Sequence, residues 1–328
     1  MNTTKKELIR VNHLKKYFAL KRGGFAPKIQ WLKAVDDISF SIRQGETLGL
    51  VGESGCGKST TGRLLLQLLR ATSGDIFFED IRINNLSSHE LWKTRRDLQI
   101  IFQDPYAALN PRQTIQNSLN EPMIAYGIDK NIRHQTLRKL LDAVGIPSLY
   151  LTRYPHELSG GQLQRIGIAR SLALHPKFIV ADEPVASLDM SIQAQILNLL
   201  SDLQQEFALT YLFISHDLSV IDYISHHIGV MYLGKMVELT DRDTLYRQPL
   251  HPYTKALLSA IPIAEPRHKK ARIMLAGEMP SPLNPPSGCR FRTRCPLAKD
   301  VCSLKQPEWA EVSPHHYVAC HVVQEEER

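Results

Sequence analysis

Along much of the chain, short apolar runs alternate with segments whose apolar residues recur at helical spacing. Residues 47–51, 177–181 and 210–215 are almost continuous apolar and β-branched runs, which is typical of strands buried on both faces of a parallel sheet. Between the last two runs the pattern predicts a helix with one apolar face, formed by Ile192, Ile196, Leu199, Leu200, Leu203 and Phe207. Strands and helices that alternate in this way predict an α/β core around a mostly parallel sheet.

The same patterning sets other regions apart from this core. Residues 8–11 and 32–42 predict strands near the start of the chain, and Tyr17 follows the first strand after a basic interval. Residues 104–160 are polar, helical in texture and interrupted by prolines, which predicts a helical insertion. A helix predicted over 252–260 then leads into a proline-rich tail that begins a separate small module.

These patterns predict four segments. The core is expected in two parts, residues 1–103 and 161–245, which the helical subdomain at 104–160 separates. Residues 246–328 are expected to form a C-terminal extension. We find no internal repeat in the sequence.

Composition narrows the class of protein. The chain has 328 residues, of which 43% are apolar and 22% charged, and it contains no apolar run of the ~18–20 residues that a membrane helix needs. Its first residues lack the apolar core of a secretory signal, so a cytosolic protein is expected. The net charge of +7 and a basic run at 267–272 permit an anionic partner, but a solvated basic face explains them equally simply.

The glycine-rich stretch after the first apolar run carries the clearest chemistry. It matches G-x-x-x-x-G-K-S between a predicted strand and a predicted helix, which is the setting for phosphate binding. Backbone N–H groups of such a loop bind an anion, and the helix adds the positive end of its dipole. Lys58 is expected to reach the β- and γ-phosphates, and Ser59 to ligate Mg²⁺. The predicted nucleotide-binding residues here are Gly52, Glu53, Ser54, Gly55, Cys56, Gly57, Lys58, Ser59 and Thr60.

Two acidic residues end the second apolar run. Asp182 and Glu183 follow it directly, and ligands bind at the carboxyl ends of strands in open α/β sheets. Asp182 is expected to hold Mg²⁺, directly or through water. Glu183 is expected to act as the general base that polarises the attacking water.

A second anion-binding pattern lies between the loop and these acids. Ser159 is expected to cap a helix whose first turn contains Gly160, Gly161 and Gln162, so that backbone N–H groups are open to an anion. A plain capped helix start is the alternative. Two phosphate-binding patterns far apart on one chain are consistent with two different nucleotides.

Together these motifs resemble the ATP-binding subunits of ABC transporters, and the resemblance covers essentially the whole chain. Residues 52–60 are similar to the Walker A motif, 178–183 to Walker B and 158–162 to the family signature. The resemblance implies a P-loop, RecA-like ABC ATPase core with a helical subdomain, an antiparallel β edge and a small Cys-rich C-terminal extension. It also implies that two subunits meet head to tail, with each ATP between one Walker A motif and the other subunit's signature.

Three further residues take their roles from the resemblance. Gln103 matches the Q-loop and is expected to sense Mg²⁺ and water, while His216 matches the switch histidine and is expected to contact the γ-phosphate. Tyr17 matches the aromatic residue that stacks on adenine. Residue chemistry leaves two alternatives, a backbone-bonded histidine at a strand end and a half-buried strand aromatic.

Segments 103–105, 109–112, 251–258 and 277–283 resemble the oligopeptide, dipeptide and nickel importer group within this family. This implies an ATPase that energises import of dipeptides or oligopeptides from the cytoplasmic face of the inner membrane. The implied partners are a second, unlike ATPase subunit, two transmembrane permease subunits and a substrate-binding protein outside the membrane, with no nucleic acid. Nickel or haem import, and a soluble ABC-type ATPase that acts on nucleic acid, are the alternatives.

Four of the five cysteines lie near the end of the chain in the spacing C-x₅-C-x₆-C-x₁₇-C, at Cys289, Cys295, Cys302 and Cys320. In a cytosolic chain this clustering indicates metal or redox chemistry before disulfides, and four thiolates suit zinc or an iron–sulfur cluster. The resemblance to the importer group implies a [4Fe–4S] cluster, with Zn²⁺ and unliganded thiols as alternatives. A zinc module that binds nucleic acid through Arg290, Arg292 and Arg294 is disfavoured.

Overall fold

The computed structural model describes residues 6–22, 28–261 and 272–326, so most of the basic run at 267–272 lies outside the described residues. The chain divides into two compact units. The first unit comprises Met1–Glu7, Ile42–Thr47 and Asn85–Ser215, and the second comprises Leu8–Ser41, Leu48–Asn84 and His216–Arg328.

The regular elements alternate between strand and helix through most of the chain. In chain order they are β1 (Glu7–Arg22), β2 (Lys28–Arg43), β3 (Thr47–Val51), α1 (Lys58–Leu65), β4 (Ser73–Phe78), β5 (Ile81–Arg82), α2 (Ser88–Thr94), β6 (Leu98–Ile101), α3 (Ile115–Ala125), α4 (Lys130–Val144), α5 (Gly160–Leu172), β7 (Phe178–Asp182), α6 (Met190–Phe207), β8 (Thr210–Ile214), α7 (Leu218–Ile224), β9 (His227–Tyr232), β10 (Lys235–Asp241), α8 (Arg242–Arg247), α9 (Pro252–Ser259), α10 (Val301–Leu304), β11 (Ala310–Ser313), β12 (His316–Val318) and α11 (His321–Glu326).

Parallel strands form the centre of the first unit. β7 lies between β6 and β8 and is parallel to both, with Ala181 opposite Ile101 and Asp182 opposite Ile214. Every residue of β7 and β8 is buried, as their continuous apolar runs predict. Asp182 is the last residue of β7 and therefore lies at the carboxyl end of these strands.

The helices expected between 104 and 160 are present in the first unit. α3 and α4 pack against each other and against α5, and they bury Leu119 and Leu141. Gly145 follows the last residue of α4 and has a left-handed φ of 67°, a conformation that favours glycine after a helix. Among the described residues, no helix is both long enough and apolar enough to span a bilayer.

The second unit contains the antiparallel edge that the family resemblance implies. Four strands lie in the order β2-β1-β4-β5, and β1 and β4 are antiparallel. The expectation of a short first strand followed by a basic interval was wrong, because β1 continues through that interval as one strand of 16 residues. Its pairing with β4 shifts register between Asn12 and Lys15, and His13 has a left-handed φ of 49°, so a bulge accommodates the interval.

A second set of strands in this unit carries the glycine-rich loop at 52–60 and part of the tail. β3 is parallel to β9, β9 is antiparallel to β10, and β10 is antiparallel to β12 from the C-terminal extension. β11 and β12 form an antiparallel pair beyond β10. The extension therefore adds strands to the sheet that carries β3.

The buried carboxylate of Glu238, on β10, forms hydrogen bonds with later segments of the chain. Glu238 is fully buried and accepts hydrogen bonds from the backbone N–H groups of Leu250 and His251 at 2.8 and 3.0 Å. Its Oε1 also lies 2.8 Å from Nε2 of His316 on β12. Burial by itself disfavours the carboxylate, but the hydrogen bonds from His316 and the two backbone groups lower the pKa of Glu238 below its usual value.

This depressed pKa predicts acid sensitivity of the second unit. The stabilisation from ionised Glu238 is complete above the unfolded pKa of about 4.3 and is lost as the pH falls through the lower folded pKa. At pH 7 the Glu238→Gln variant should lose about 1.5–3 kcal/mol of unfolding free energy, because its buried donors lose a charged acceptor. The difference between variant and wild type should shrink between pH 5 and pH 3, as measured by urea unfolding.

The matched control for this prediction is Glu308→Gln. The exposed carboxylate of Glu308 pairs with the exposed ammonium of Lys305, and such surface pairs contribute little. Equal pH dependence in wild type and the Glu238→Gln variant would show that Glu238 does not stabilise the fold as an anion.

Candidate functional site

The loop between β3 and α1 is built where neighbouring backbone leaves no room for side chains. Gly52 and Gly57 have φ values of 148° and 109°, and a Cβ on either would lie 2.2 Å from a carbonyl oxygen, that of Met231 or of Ala34. Only glycine fits such positions. Gly57 precedes α1 and provides no side-chain cap, which leaves the start of the helix suited to an anion.

Lys58 is the first residue of α1 and is almost fully buried. Its ammonium group donates to the carbonyl oxygens of Gly52 at 2.7 Å and Glu53 at 3.2 Å. The amine thus lies against the backbone of its own loop. Cys56 is also buried, and burial raises the pKa of its thiol, so the thiol is neutral near pH 7.

Glu53 is held by residues far along the chain. Its backbone N–H donates to the Tyr253 hydroxyl at 2.9 Å, and its carboxylate accepts from Nη1 of Arg294 at 2.9 and 3.0 Å. The sequence motif places Glu53 in the loop but gives no sign of its contacts with Tyr253 and Arg294. The only sequence signal for Arg294 was its position between two closely spaced cysteines.

Tyr17 lies on β1 as a half-buried side chain, and its hydroxyl donates to Asp36 on β2. Burial and this hydrogen bond raise the pKa of Tyr17. Burial also opposes ionisation of Asp36, but the bonds from Tyr17 and Arg290 outweigh it and lower the pKa of the carboxyl. The contact of Tyr17 with adenine stays a prediction.

In the first unit, two predicted catalytic residues lie within hydrogen-bond distance of each other. Nε2 of Gln103, just after β6, donates to Oε2 of Glu183 at 3.1 Å. Glu183 follows β7 with a left-handed φ of 49°, and its N–H donates to the Ile214 carbonyl at 3.0 Å. A left-handed backbone at a residue other than glycine costs about 1–2 kcal/mol, and such strain clusters at functional sites.

The predicted helix cap at Ser159 is confirmed. The backbone N–H of Gln162 donates to the Ser159 hydroxyl at 3.4 Å, and the Ser159 N–H donates to Oε1 of Gln162 at 3.0 Å. This reciprocal pair starts α5. Gly161 must be small because a Cβ there would lie 2.7 Å from Ile192.

The candidate residues are distributed over both units. The first unit holds Gln103, the 159–162 turn, Asp182 and Glu183. The second holds Tyr17, the 52–60 loop, the four tail cysteines and His216, an exposed residue just after β8.

The four tail cysteines form no disulfide and are grouped within the extension. The backbone N–H of Cys289 donates to the Cys302 carbonyl at 2.8 Å. Burial, together with the nearby thiols of Cys302, Cys320 and Cys295, raises the pKa of Cys289 to about 11. Within the part of the chain that the structure describes, no three His, Cys, Asp or Glu side chains are arranged to hold a metal ion. The donor chemistry suits a metal, but the side-chain arrangement does not.

Comparison with known proteins identifies the family. Residues 35–186 match the family described as ABC transporter, and residues 237–302 match the C-terminal region of oligopeptide/dipeptide transporters. The chain is 53% identical over 319 residues to the oligopeptide transport ATP-binding protein AppF of Bacillus subtilis, covering 96% of this chain and 97% of AppF. The chain therefore belongs to the ABC transporter ATP-binding proteins.

Two further comparisons agree with this ABC family assignment. The probable peptide ABC transporter ATP-binding protein y4tS of Sinorhizobium fredii is 48% identical, over 96% of this chain and 90% of y4tS. The dimeric ATP-binding cassette MJ0796, solved in a post-hydrolysis state with ADP and phosphate, superposes with a TM-score of 0.62 at 28% identity, over 71% of this chain and 98% of MJ0796. The predicted P-loop ABC ATPase fold is confirmed for the core, while the Cys-rich character of the extension stays a prediction. The protein is an ABC-type ATPase with ATP as its substrate.

Proposed function

We propose that this ABC ATPase energises the import of peptides across the cytoplasmic membrane. One observation carries the choice of cargo: a region matching the oligopeptide/dipeptide transporter C-terminal region follows the ATPase match on the same chain. Relatives named for oligopeptide or peptide transport, similar over almost the full chain, support the same choice. Dipeptides and longer peptides are both within this proposal.

In this proposal the loop at 52–60 binds the phosphates of ATP. The N–H groups at the start of α1 and the Lys58 ammonium supply positive charge to the β- and γ-phosphates. Ser59, Gln103 and Asp182 are the proposed Mg²⁺ residues, and the metal would neutralise charge on the phosphates. Tyr17 stacks on adenine, and Ser159, Gly160, Gly161 and Gln162 bind the ATP of a second ATPase subunit. The dimeric state of the related cassette MJ0796 supports this two-chain site.

Glu183 is the proposed general base of hydrolysis, with Gln103 and His216 as the other catalytic residues. The hydrogen bond from Gln103 supports this role, because it orients a carboxylate that directly follows a buried strand. His216 contacts the γ-phosphate in the proposal. The left-handed backbone at Glu183 is consistent with a functional position.

The Glu183→Gln variant tests the hydrolytic role. It keeps the size and a hydrogen-bonding carbonyl but removes the base, so kcat should fall by ~10²–10⁴ while ATP still binds. Steady-state ATPase rates and equilibrium ATP binding measure the two effects separately. Glu206→Gln, on the exposed side of α6, is the matched control and should leave both unchanged. A normal kcat for Glu183→Gln would exclude Glu183 as the base.

We also propose that transmembrane permease subunits dock on the helical segment at 104–160. The supporting observation is that this segment exposes several large apolar side chains, namely Tyr106, Ile124, Ile132, Leu149 and Tyr154. The complete proposed complex adds a second, unlike ATPase subunit and a substrate-binding protein outside the membrane. The protein would then lie peripherally on the cytoplasmic face of the membrane.

Detergent extraction tests this docking surface. Wild-type protein should co-purify with its permease subunits, and a Leu149→Asp/Ile124→Asp variant should lose them while it retains ATP binding. Ile81 is an equally exposed apolar residue outside the segment, so the Ile81→Asp variant should keep the complex intact. Retention of the permeases by the double variant, or loss of them from Ile81→Asp, would contradict this location.

The tail cysteines are a separate proposal: a [4Fe–4S] cluster, with Zn²⁺ as the alternative. Four cysteines that form no disulfide and lie within one short extension support it through their grouping. The thiols must turn toward a common centre to bind metal, and metal binding would deprotonate them.

Chemical analysis of anaerobically purified protein distinguishes these occupants. A cluster predicts about four iron and four sulfide per chain with broad visible absorption, and zinc predicts one Zn²⁺ without colour. Cys302→Ser should lower metal content, whereas Cys56→Ser, outside the tail group, should leave it unchanged. Metal-free protein with four reactive thiols would exclude both metals.

A further inference from the structure

The segment 289–295, between the first two tail cysteines, reaches the phosphate loop through an arginine. The Arg294 side chain is 9% exposed, and its Nη1 contacts both carboxylate oxygens of Glu53, a residue 241 positions earlier in the chain. The ion pair is partly buried, so it contributes more than a surface pair of the same geometry. Arg294 thus joins the C-terminal extension to the ATP-binding loop.

Aromatic packing holds the same segment in place. Phe291 is buried, and its ring centroid lies 5.2 Å from that of Tyr232 and 5.4 Å from that of Tyr253. The hydroxyl of Tyr253 accepts the backbone N–H of Glu53. Glu53 is therefore fixed twice, by its backbone through Tyr253 and by its side chain through Arg294.

A second arginine of this segment binds the carboxylate that also accepts the Tyr17 hydroxyl. Arg290 is buried and pairs with Asp36 while also donating to the Leu233 carbonyl. The other carboxylate oxygen of Asp36 accepts the Tyr17 hydroxyl. Arg292, between these two arginines, instead donates to Ser287 within the extension at 2.9 Å.

The position of Glu53 also bears on Lys58, because the Glu53 carbonyl accepts a hydrogen bond from the Lys58 ammonium. A shift of Glu53 would move both this acceptor and the direction of the loop N–H groups. Phosphate binding depends on such groups being correctly oriented before the ligand arrives. We propose that Arg294 is a positioning residue for ATP: it fixes Glu53 and so makes ATP affinity depend on the C-terminal extension.

This inference rests on the proposed phosphate-binding role of the loop, and ATP binding to the full-length chain tests it. In a Glu183→Gln background, which prevents turnover, Arg294→Gln should raise the Kd for MgATP about tenfold, in line with loss of one charge-assisted hydrogen-bonded pair. Arg294→Lys should recover part of that loss because it retains the charge. Arg292→Gln is the matched control and should bind like the parent protein.

A double-mutant cycle separates positioning from a general structural role. If Arg294 acts through Glu53, adding Arg294→Gln to Glu53→Gln should raise the Kd no further than either change alone. With Glu183 intact, Arg294→Gln should raise the KM for ATP and leave kcat within about twofold, since it changes binding rather than the base. If Arg294→Gln does not fold, Glu53→Gln removes the same ion pair and must raise the Kd by itself.

Two results would overturn the inference: an unchanged Kd in Arg294→Gln, or fully additive losses in the double variant. Neither result depends on the hydrolytic proposal, because that proposal is judged by kcat in Glu183→Gln alone. Normal turnover in Glu183→Gln would refute the base, and the Kd comparison would then use a non-hydrolysable ATP analogue, so that the effect of Arg294 on binding is still measured.

Discussion

Close backbone contact around the phosphate loop is the constraint on which the second unit depends. The carbonyl oxygens of Met231 and Ala34 occupy the space that side chains at Gly52 and Gly57 would need. β2 and β9 therefore shape the loop from outside, in addition to its own glycines. The Lys58 ammonium donates hydrogen bonds to loop carbonyls, so its positive charge is part of the loop's own structure.

In the first unit, strand burial and backbone strain position the two acidic residues Asp182 and Glu183. Asp182 ends a strand that is buried along its whole length, whereas Glu183 leaves that strand with a left-handed backbone and is bonded to Gln103. β7 pairs with a parallel strand on each side, which fixes its backbone up to Asp182. This fixed strand end can hold the strained backbone of Glu183. Strand burial and site geometry are thus linked within this unit.

The C-terminal extension makes several contacts with the rest of the second unit, including the loop at 52–60. β12 pairs with β10, and Glu238 accepts hydrogen bonds from two segments, residues 250–251 and His316. Arg290 and Arg294 form ion pairs with Asp36 and Glu53. These contacts also bear on the nucleic-acid alternative for the tail. Two of its three arginines are engaged with carboxylates inside the protein, so they do not form an exposed basic face.

The sequence by itself determined the elements whose signal is local. Apolar runs predicted β3, β7 and β8, the one-faced pattern predicted α6, and the Ser159 cap and the glycine loop followed from short motifs. Only the tertiary structure decided that β1 continues through its basic interval. The same holds for the contacts of Arg294 and Tyr253 with Glu53. It also holds for the contact of Arg290 with Asp36, which accepts the Tyr17 hydroxyl. The physical reason is sequence separation: a pair 241 residues apart leaves no periodicity or spacing on either residue, and it exists only once the chain has packed.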